Sequence, residues 1–232
     1  FYQINYAGTH ILYSKAMEFA DISEEDVVID AYAGVGTIGI IASQYAKEVI
    51  SVELNKDAVK DAKINASINK VRNIRFFCAD ATEFLLAAAK ENEMIDVVLM
   101  DTPRAGSTVD FMKSVCTLAP GKVVYVSCNP ETLARDLLYF SKNGYKVKKI
   151  QPVDMFPHTN HIETVVLLSQ RRPDTHINIK LDLSELDITA AETKATYQEI
   201  KDYVLEKHGL KVSTLYISQV KAKCGITERK NY

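Results

Sequence analysis

Hydrophobic and polar positions repeat in two periods along the first 170 residues. Short runs rich in β-branched residues recur at 27–31, 49–53, 74–78, 96–100, 123–127, 147–153 and 164–169. Between most of them apolar residues return every three or four positions. That spacing predicts helices over roughly 10–20, 37–46, 56–69, 82–90, 108–117 and 131–142. Alternation of this kind predicts an α/β fold, a doubly wound and mostly parallel sheet of seven strands. The last two runs are joined by residues 154–161 without a helical pattern, and so short a connection suits an antiparallel pair at the sheet edge.

The pattern changes at Arg171-Arg172-Pro173-Asp174. Residues 1–172 are therefore expected to form one domain, 173–188 a polar linker and 189–232 a small helical extension. In the extension Tyr197, Ile200, Tyr203 and Val204 share a helix face, and His208-Gly209 stops that helix. Ser213 can cap a second helix carrying Leu215, Ile217 and Val220 with Lys221 and Lys223. The pair resembles a helix-turn-helix, and a plain packed hairpin is the simpler reading.

Composition narrows the function classes. Charged residues make up 25% and apolar ones 47% of the 232 residues, as in soluble globular proteins. No apolar run approaches the roughly 18 residues that would span a membrane. Cys78, Cys116, Cys128 and Cys224 are scattered without a C-x-x-C pair, which argues against a metal site or a disulfide framework here and for a reducing cytoplasm. The net charge is −2, with net +2 in residues 171–232, and neither value advertises a nucleic-acid binder. Phe1-Tyr2-Gln3 carries neither an initiator Met nor a signal pattern, so the chain reads as a piece of a longer protein. A monomer is expected.

The segment Ser127-Cys128-Asn129-Pro130-Glu131-Thr132-Leu133-Ala134-Arg135-Asp136 is the richest in chemistry. It follows a buried-strand pattern, and Asn-Pro reads as a helix start, since Asn caps and Pro tolerates the first helical position. Cys128 is thus placed at a strand's carboxyl end before a helix N-terminus. Chemistry collects at that edge in open sheets, and the helix dipole there favours a nucleophilic thiolate.

A cofactor site is expected one strand system away. Asp30-Ala31-Tyr32-Ala33-Gly34-Val35-Gly36-Thr37 joins the first strand to its helix, and Gly34 and Gly36 allow close backbone approach. Gly39 completes G-x-G-x-x-G, so a nicotinamide dinucleotide must be weighed. Glu53 ends the next strand, where an acid accepts ribose hydroxyls, and Asp80 and Asp101 end the following two. Each acid alone is more often a loop carboxylate or helix cap. Their serial placement favours S-adenosylmethionine, whose cationic sulfonium tolerates carboxylates better than a pyrophosphate does.

Together these residues resemble the S-adenosylmethionine-dependent RNA uracil-C5 methyltransferases, over residues 1–170. The resemblance rests on Phe1-Tyr2-Gln3-Ile4-Asn5, the segment 30–37, Val52-Glu53, Asp101-Thr102-Pro103-Arg104-Ala105-Gly106, the segment 127–136, and Asp154-Met155-Phe156-Pro157-His158-Thr159-Asn160-His161-Ile162-Glu163. The ribosomal (23S rRNA) branch looks nearer than the tRNA branch. The resemblance implies that Gln3, Tyr32, Glu53 and Asp101 lie at the cofactor, with Thr37 and Asp80 near it. It also implies that Cys128 is the nucleophile and Glu163 the proton-abstracting base. Members often add an N-terminal RNA-binding domain, and some an iron–sulfur cluster. The family's D-P-P-R reads Asp-Thr-Pro-Arg here, and Thr102 is expected to leave a slightly looser loop.

The chemistry needs these groups. Attack of a thiolate on uracil C6 places electron density on C5, which takes the methyl; a base then removes the C5 proton. Asp101 or Arg104 can steady the uracil edge or its enolate oxygen, and the base must flip out of its stack to reach them. Three rivals stand beside this reading. An NAD-dependent oxidoreductase would need a substrate-binding region and a proton donor, neither of which the sequence displays. An amino-group methyltransferase would carry an aromatic residue at Arg104 and needs no cysteine. A non-catalytic RNA-binding protein of the same fold would have no use for Cys128 and Glu163.

Overall fold

The computed structural model describes residues 5–159, 162–170 and 197–208, and the chain divides into two compact units, Phe1–Thr175 and His176–Tyr232. In the first unit, helices α1 (Tyr6–Ala20), α2 (Thr37–Ala42), α3 (Lys56–Ile68), α4 (Ala81–Lys90), α5 (Val109–Leu118) and α6 (Pro130–Lys142) alternate with strands β1 (Val27–Ala31), β2 (Glu48–Glu53), β3 (Ile74–Cys78), β4 (Val97–Thr102) and β5 (Lys122–Ser127). Strands β6 (Tyr145–Val153) and β7 (Glu163–Gln170) follow. The second unit contributes α7 (Tyr197–His208), which spans the positions of the predicted apolar stripe; Gly209, its predicted stop, lies outside the described residues. The proposed second helix with Lys221 and Lys223, and the linker, lie outside the described residues.

The seven strands form one sheet in the order β3-β2-β1-β4-β5-β7-β6. β1 to β5 run parallel, and β7 is antiparallel to both β5 and β6. The expected edge pair is therefore present, with β6 outermost and β7 inserted beside β5.

Period-2 alternation divides each central strand between two cores. Ile29, Val98, Met100, Val123, Tyr125 and Val166 face the side covered by α4, α5 and α6, where Leu85, Phe111, Met112, Leu133 and Phe140 pack. Val28, Val97, Leu99, Val124, Val126 and Val165 face α1 and α2, against Leu12, Ala16, Phe19, Ile38 and Ala42. Burial on both faces explains why these strands read as nearly continuous apolar runs.

Two helix boundaries differ from the periodicity. α1 begins four residues earlier than predicted because Asn5 caps it, Oδ1 accepting from Gly8 N–H at 3.0 Å. α2 ends at Ala42, where Ser43 turns its hydroxyl back to the Ile40 carbonyl at 2.7 Å.

Candidate active site

Three strand ends bring a thiol and two carboxylates to one stretch of sheet edge. On β4 and β5, Asp101 pairs with Val126 and Thr102 with Ser127. On β5 and β7, Ser127 pairs with Thr164. Cys128 therefore leaves β5 where Glu163 opens β7, with Asp101 on its other flank, and adjacent strands lie about 4.8 Å apart. Glu163 is buried, and Cys128 and Asp101 are half-buried.

The electrostatics of this cluster are those of acids crowded together. Burial, then Glu163 and Asp30, push the Asp101 carboxyl up to about 7. Burial also raises Glu163, against the opposing pull of Arg104. The Cys128 thiol is raised by burial first and by Glu163 next, with Arg104 lowering it and Asp101 raising it further. The expectation that the α6 N-terminus would favour a thiolate is thus corrected for the resting site, where desolvation and two carboxylates prevail. Arg104 is the cation that counters them, and it stands exposed at the mouth of the cluster.

Local sequence explains how each group is held. Asn129 caps α6 as predicted, accepting from Glu131 N–H at 3.0 Å with Pro130 in the first position. Its amide also donates to the Arg104 carbonyl at 3.1 Å. Ser127 Oγ donates to the Asn129 carbonyl and accepts from its N–H at 3.0 and 3.2 Å, closing the turn around Cys128. On the far side, Asn5 donates to the Met155 carbonyl at 2.7 Å, tying α1 to the loop that precedes Glu163.

The cofactor-side residues gather at the ends of β1 to β3. Tyr32 adopts the left-handed backbone region (φ 61°), and its ring tilts against Phe111 at 4.8 Å. Gly34 N–H donates to Glu53 Oε2 at 2.9 Å and Asn55 N–H to Oε1 at 2.8 Å. Gly36 caps α2, and the exposed Thr37 lines a groove of about 760 Å³ between α1 and α2. Asp80 caps α4 through Oδ1, accepting from Thr82 and Glu83 N–H at 2.8 and 3.1 Å, so the bland reading of that acid is realised. Gln3 lies outside the described residues.

The third glycine of the G-x-G-x-x-G pattern has a packing role. A Cβ at Gly39 would sit 2.6 Å from Asp30 Oδ2 and 2.7 Å from Ser51 Oγ. Asp30 is buried and accepts from Gly39 N–H and Ser51 Oγ, both at 3.0 Å. Gly39 therefore lets α2 close on β1.

The family model for tRNA (uracil-5-)-methyltransferases matches residues 1–171. The chain belongs to this family. An uncharacterized RNA methyltransferase of Oceanobacillus iheyensis is 44% identical over 169 residues, 73% of this chain and 37% of that protein. One from Streptococcus pyogenes is 46% identical over 169 residues, 72% of this chain and 36% of its own length. The chain thus spans little more than a third of the curated relatives it matches. Among solved structures, the Pyrococcus abyssi tRNA (uracil-54, C5)-methyltransferase in complex with S-adenosyl-L-homocysteine superposes with a TM-score of 0.61 at 34% identity, covering 72% of this chain and 40% of that one.

The residues present fit the family's S-adenosylmethionine. Each Glu53 oxygen uses one lone pair on backbone and keeps another for a ribose hydroxyl. A Cβ at Gly34 would meet open space, and the buried Ser107 side chain bears on the Tyr32 phenol. Among the described residues no group of His, Cys, Asp and Glu could hold a metal ion, and no helix is long and apolar enough to cross a membrane.

The family's D-P-P-R departure has a different consequence from the looser loop expected. Thr102 is buried, its hydroxyl donating to Tyr125 Oη at 3.0 Å, and Tyr125 donates to Asp136 Oδ2 at 2.7 Å. Threonine here tethers the loop to the core. Two further residues escaped the sequence reading. Tyr13 on α1 is buried, and burial first, then the charges of Asp101, Asp30 and Glu163, raise its pKa. Asp136 is wholly buried, and its sequence signal is an acid on the apolar stripe of α6, between Leu133 and Phe140.

Proposed function

We propose that this chain is the catalytic part of an enzyme that methylates C5 of uridine in RNA through a covalent bond between Cys128 and C6. The observation that carries the reading is the meeting of Cys128 and Glu163 across the β5–β7 pair, with Arg104 acting on both. Tyr32, Glu53, Asp101 and the Gly34–Gly36 turn are the proposed holders of S-adenosylmethionine, with Gln3, Thr37 and Asp80 beside them. When bound, S-adenosylmethionine supplies an electrophilic methyl group.

The residues' own work is as follows. Cys128 gives its proton to solvent and the thiolate Sγ bonds to C6, while the C5=C6 electrons move toward the O4 oxygen. Arg104 opposes the negative charge that passes from sulfur to oxygen. Once C5 carries both its hydrogen and the methyl, the Glu163 carboxylate takes the C5 proton. The C5=C6 bond reforms and Cys128 leaves as thiolate. A raised Glu163 suits a group that must accept a proton near neutral pH. The motif set points to ribosomal RNA, and the family description and the Pyrococcus structure name tRNA, so both substrates enter the test.

The test is methylation of 23S rRNA and of tRNA lacking 5-methyluridine, with protein–RNA adducts followed on denaturing gels. Cys128→Ala should abolish transfer while cofactor affinity stays near that of the parent. Glu163→Gln should methylate once and accumulate adduct, because elimination waits on the proton. Substantial turnover by Cys128→Ala would sink the covalent mechanism.

A further inference from the structure

The loop after β4 is bound to α6 by a side-chain network that no strand or helix requires. Arg135 donates from Nη2 to the carbonyls of Ala105 and Ser107, both at 3.1 Å, and from Nε to Asp136 Oδ1 at 2.8 Å. Asp136 Oδ2 accepts from Ser107 N–H and from Tyr125 Oη, both at 2.7 Å. Asn129 Nδ2 and Thr132 Oγ1 donate to the Arg104 carbonyl at 3.1 and 3.3 Å. Gly106 shows how closely the loop is drawn in. Its φ is +74°, and a Cβ there would lie 2.7 Å from both Arg135 Nη2 and Asp136 Oδ2.

We infer that Arg135 and Asp136 are positioning residues that hold Arg104 over Cys128 and Glu163 and, through Ser107, brace Tyr32 on the cofactor side. Three observations carry this. The network takes up the backbone groups that directly follow Arg104, the carbonyls of Ala105 and Ser107 and the N–H of Ser107. It springs from the same helix whose N-terminus follows Cys128, so thiol and guanidinium are anchored to one rigid element. It also ends at Ser107, whose buried side chain bears on the Tyr32 phenol. A planar guanidinium with several fixed donors can bind two carbonyls and a carboxylate at once, which an ammonium cannot do in the same geometry.

The consequence is electrostatic. The charged groups facing Cys128 are Glu163 from β7, Asp101 from β4 and Arg104 from the loop; both carboxylates oppose the thiolate, a backbone hydrogen bond at Cys128 itself favours it, and so does Arg104. If the loop drifts, that help is lost while both carboxylates remain. This inference rests on the reading in which Arg104 acts on the Cys128 thiol, and the experiment tests that reading separately.

The measurement is site-resolved alkylation of the 232-residue chain by iodoacetamide across pH, read by peptide mass spectrometry with the exposed Cys78 as internal control. Arg104→Ala should slow Cys128 alkylation on the order of tenfold near pH 8 and move its profile to higher pH. Arg135→Ala and Asp136→Asn should move it the same way by at least half as much on a logarithmic scale, and Arg135→Lys should recover only part. Adding Arg135→Ala to Arg104→Ala should move it no further. Thermal unfolding of each variant confirms the fold, and Asp136→Asn keeps the buried volume if a smaller residue would not fold. A wild-type profile for Arg135→Ala, or an equal shift in the Arg104→Ala background, overturns the clamp. An unmoved profile in Arg104→Ala itself overturns the role given to Arg104, and the clamp with it.

Discussion

Replacing Gly39 by Ala tests the packing role of the third glycine. The new methyl would stand 2.6 Å from Asp30 Oδ2, 2.7 Å from Ser51 Oγ and 3.3 Å from Asp30 Cβ. None of these is the free end of a flexible chain, since Asp30 and Ser51 are both 1% exposed. Overpacking of this kind costs about 1–3 kcal/mol. Displacing the carboxylate also weakens its bonds to Gly39 N–H and Ser51 Oγ, at about 1 kcal/mol each or more because the partners stay buried. Against this, Ala gains about 1 kcal/mol over Gly in a helix. The net loss is about 2–4 kcal/mol, or roughly 4–16 °C in Tm for a chain of this size. Because the chain has no Trp, unfolding is followed by far-UV circular dichroism, in heat and in urea. Asp30→Ala in the same background should give back about 1 kcal/mol or more relative to additivity, since the methyl then enters the vacated space. A loss below about 0.5 kcal/mol, or strict additivity, would refute the reasoning. Had Gly39 instead served the close approach of a ligand, stability would hold and cofactor affinity would fall.

Other expectations follow from the same structure. Burial raises the Asp30 carboxyl to about 7, from 3.8; the folded state therefore binds the extra proton, and stability falls as pH rises from about 4 through about 7. Asp30→Asn should gain on the parent across that window, on the order of 2–4 kcal/mol, and parallel pH–stability curves would count against it. Thr102→Val should cost about 1 kcal/mol by removing the donor to Tyr125 while keeping the side-chain shape. An unchanged urea midpoint for that variant would mean that threonine does not tether the loop.

Much of this protein was legible along the chain because its signals are local. The seven strands and the helices between them follow from periodicity, and Asn129-Pro130 marked the α6 start because capping is decided within four residues. The order of Cys128, Glu53, Asp80 and Asp101 at successive strand ends was readable for the same reason. What only the tertiary structure decided is which distant groups meet. β7 could have paired at either edge, and its insertion beside β5 is what sets Glu163 against Cys128, 35 positions away in sequence. The dipole argument for a thiolate failed because it counted one helix and omitted burial and two carboxylates delivered by other strands. Thr102 looked like a loosening substitution because its partners, Tyr125 and Asp136, are 23 and 34 residues on. Backbone geometry propagates along neighbouring residues and leaves its mark in sequence; desolvation, charge and hydrogen bonding act through space, and only the fold brings their partners together.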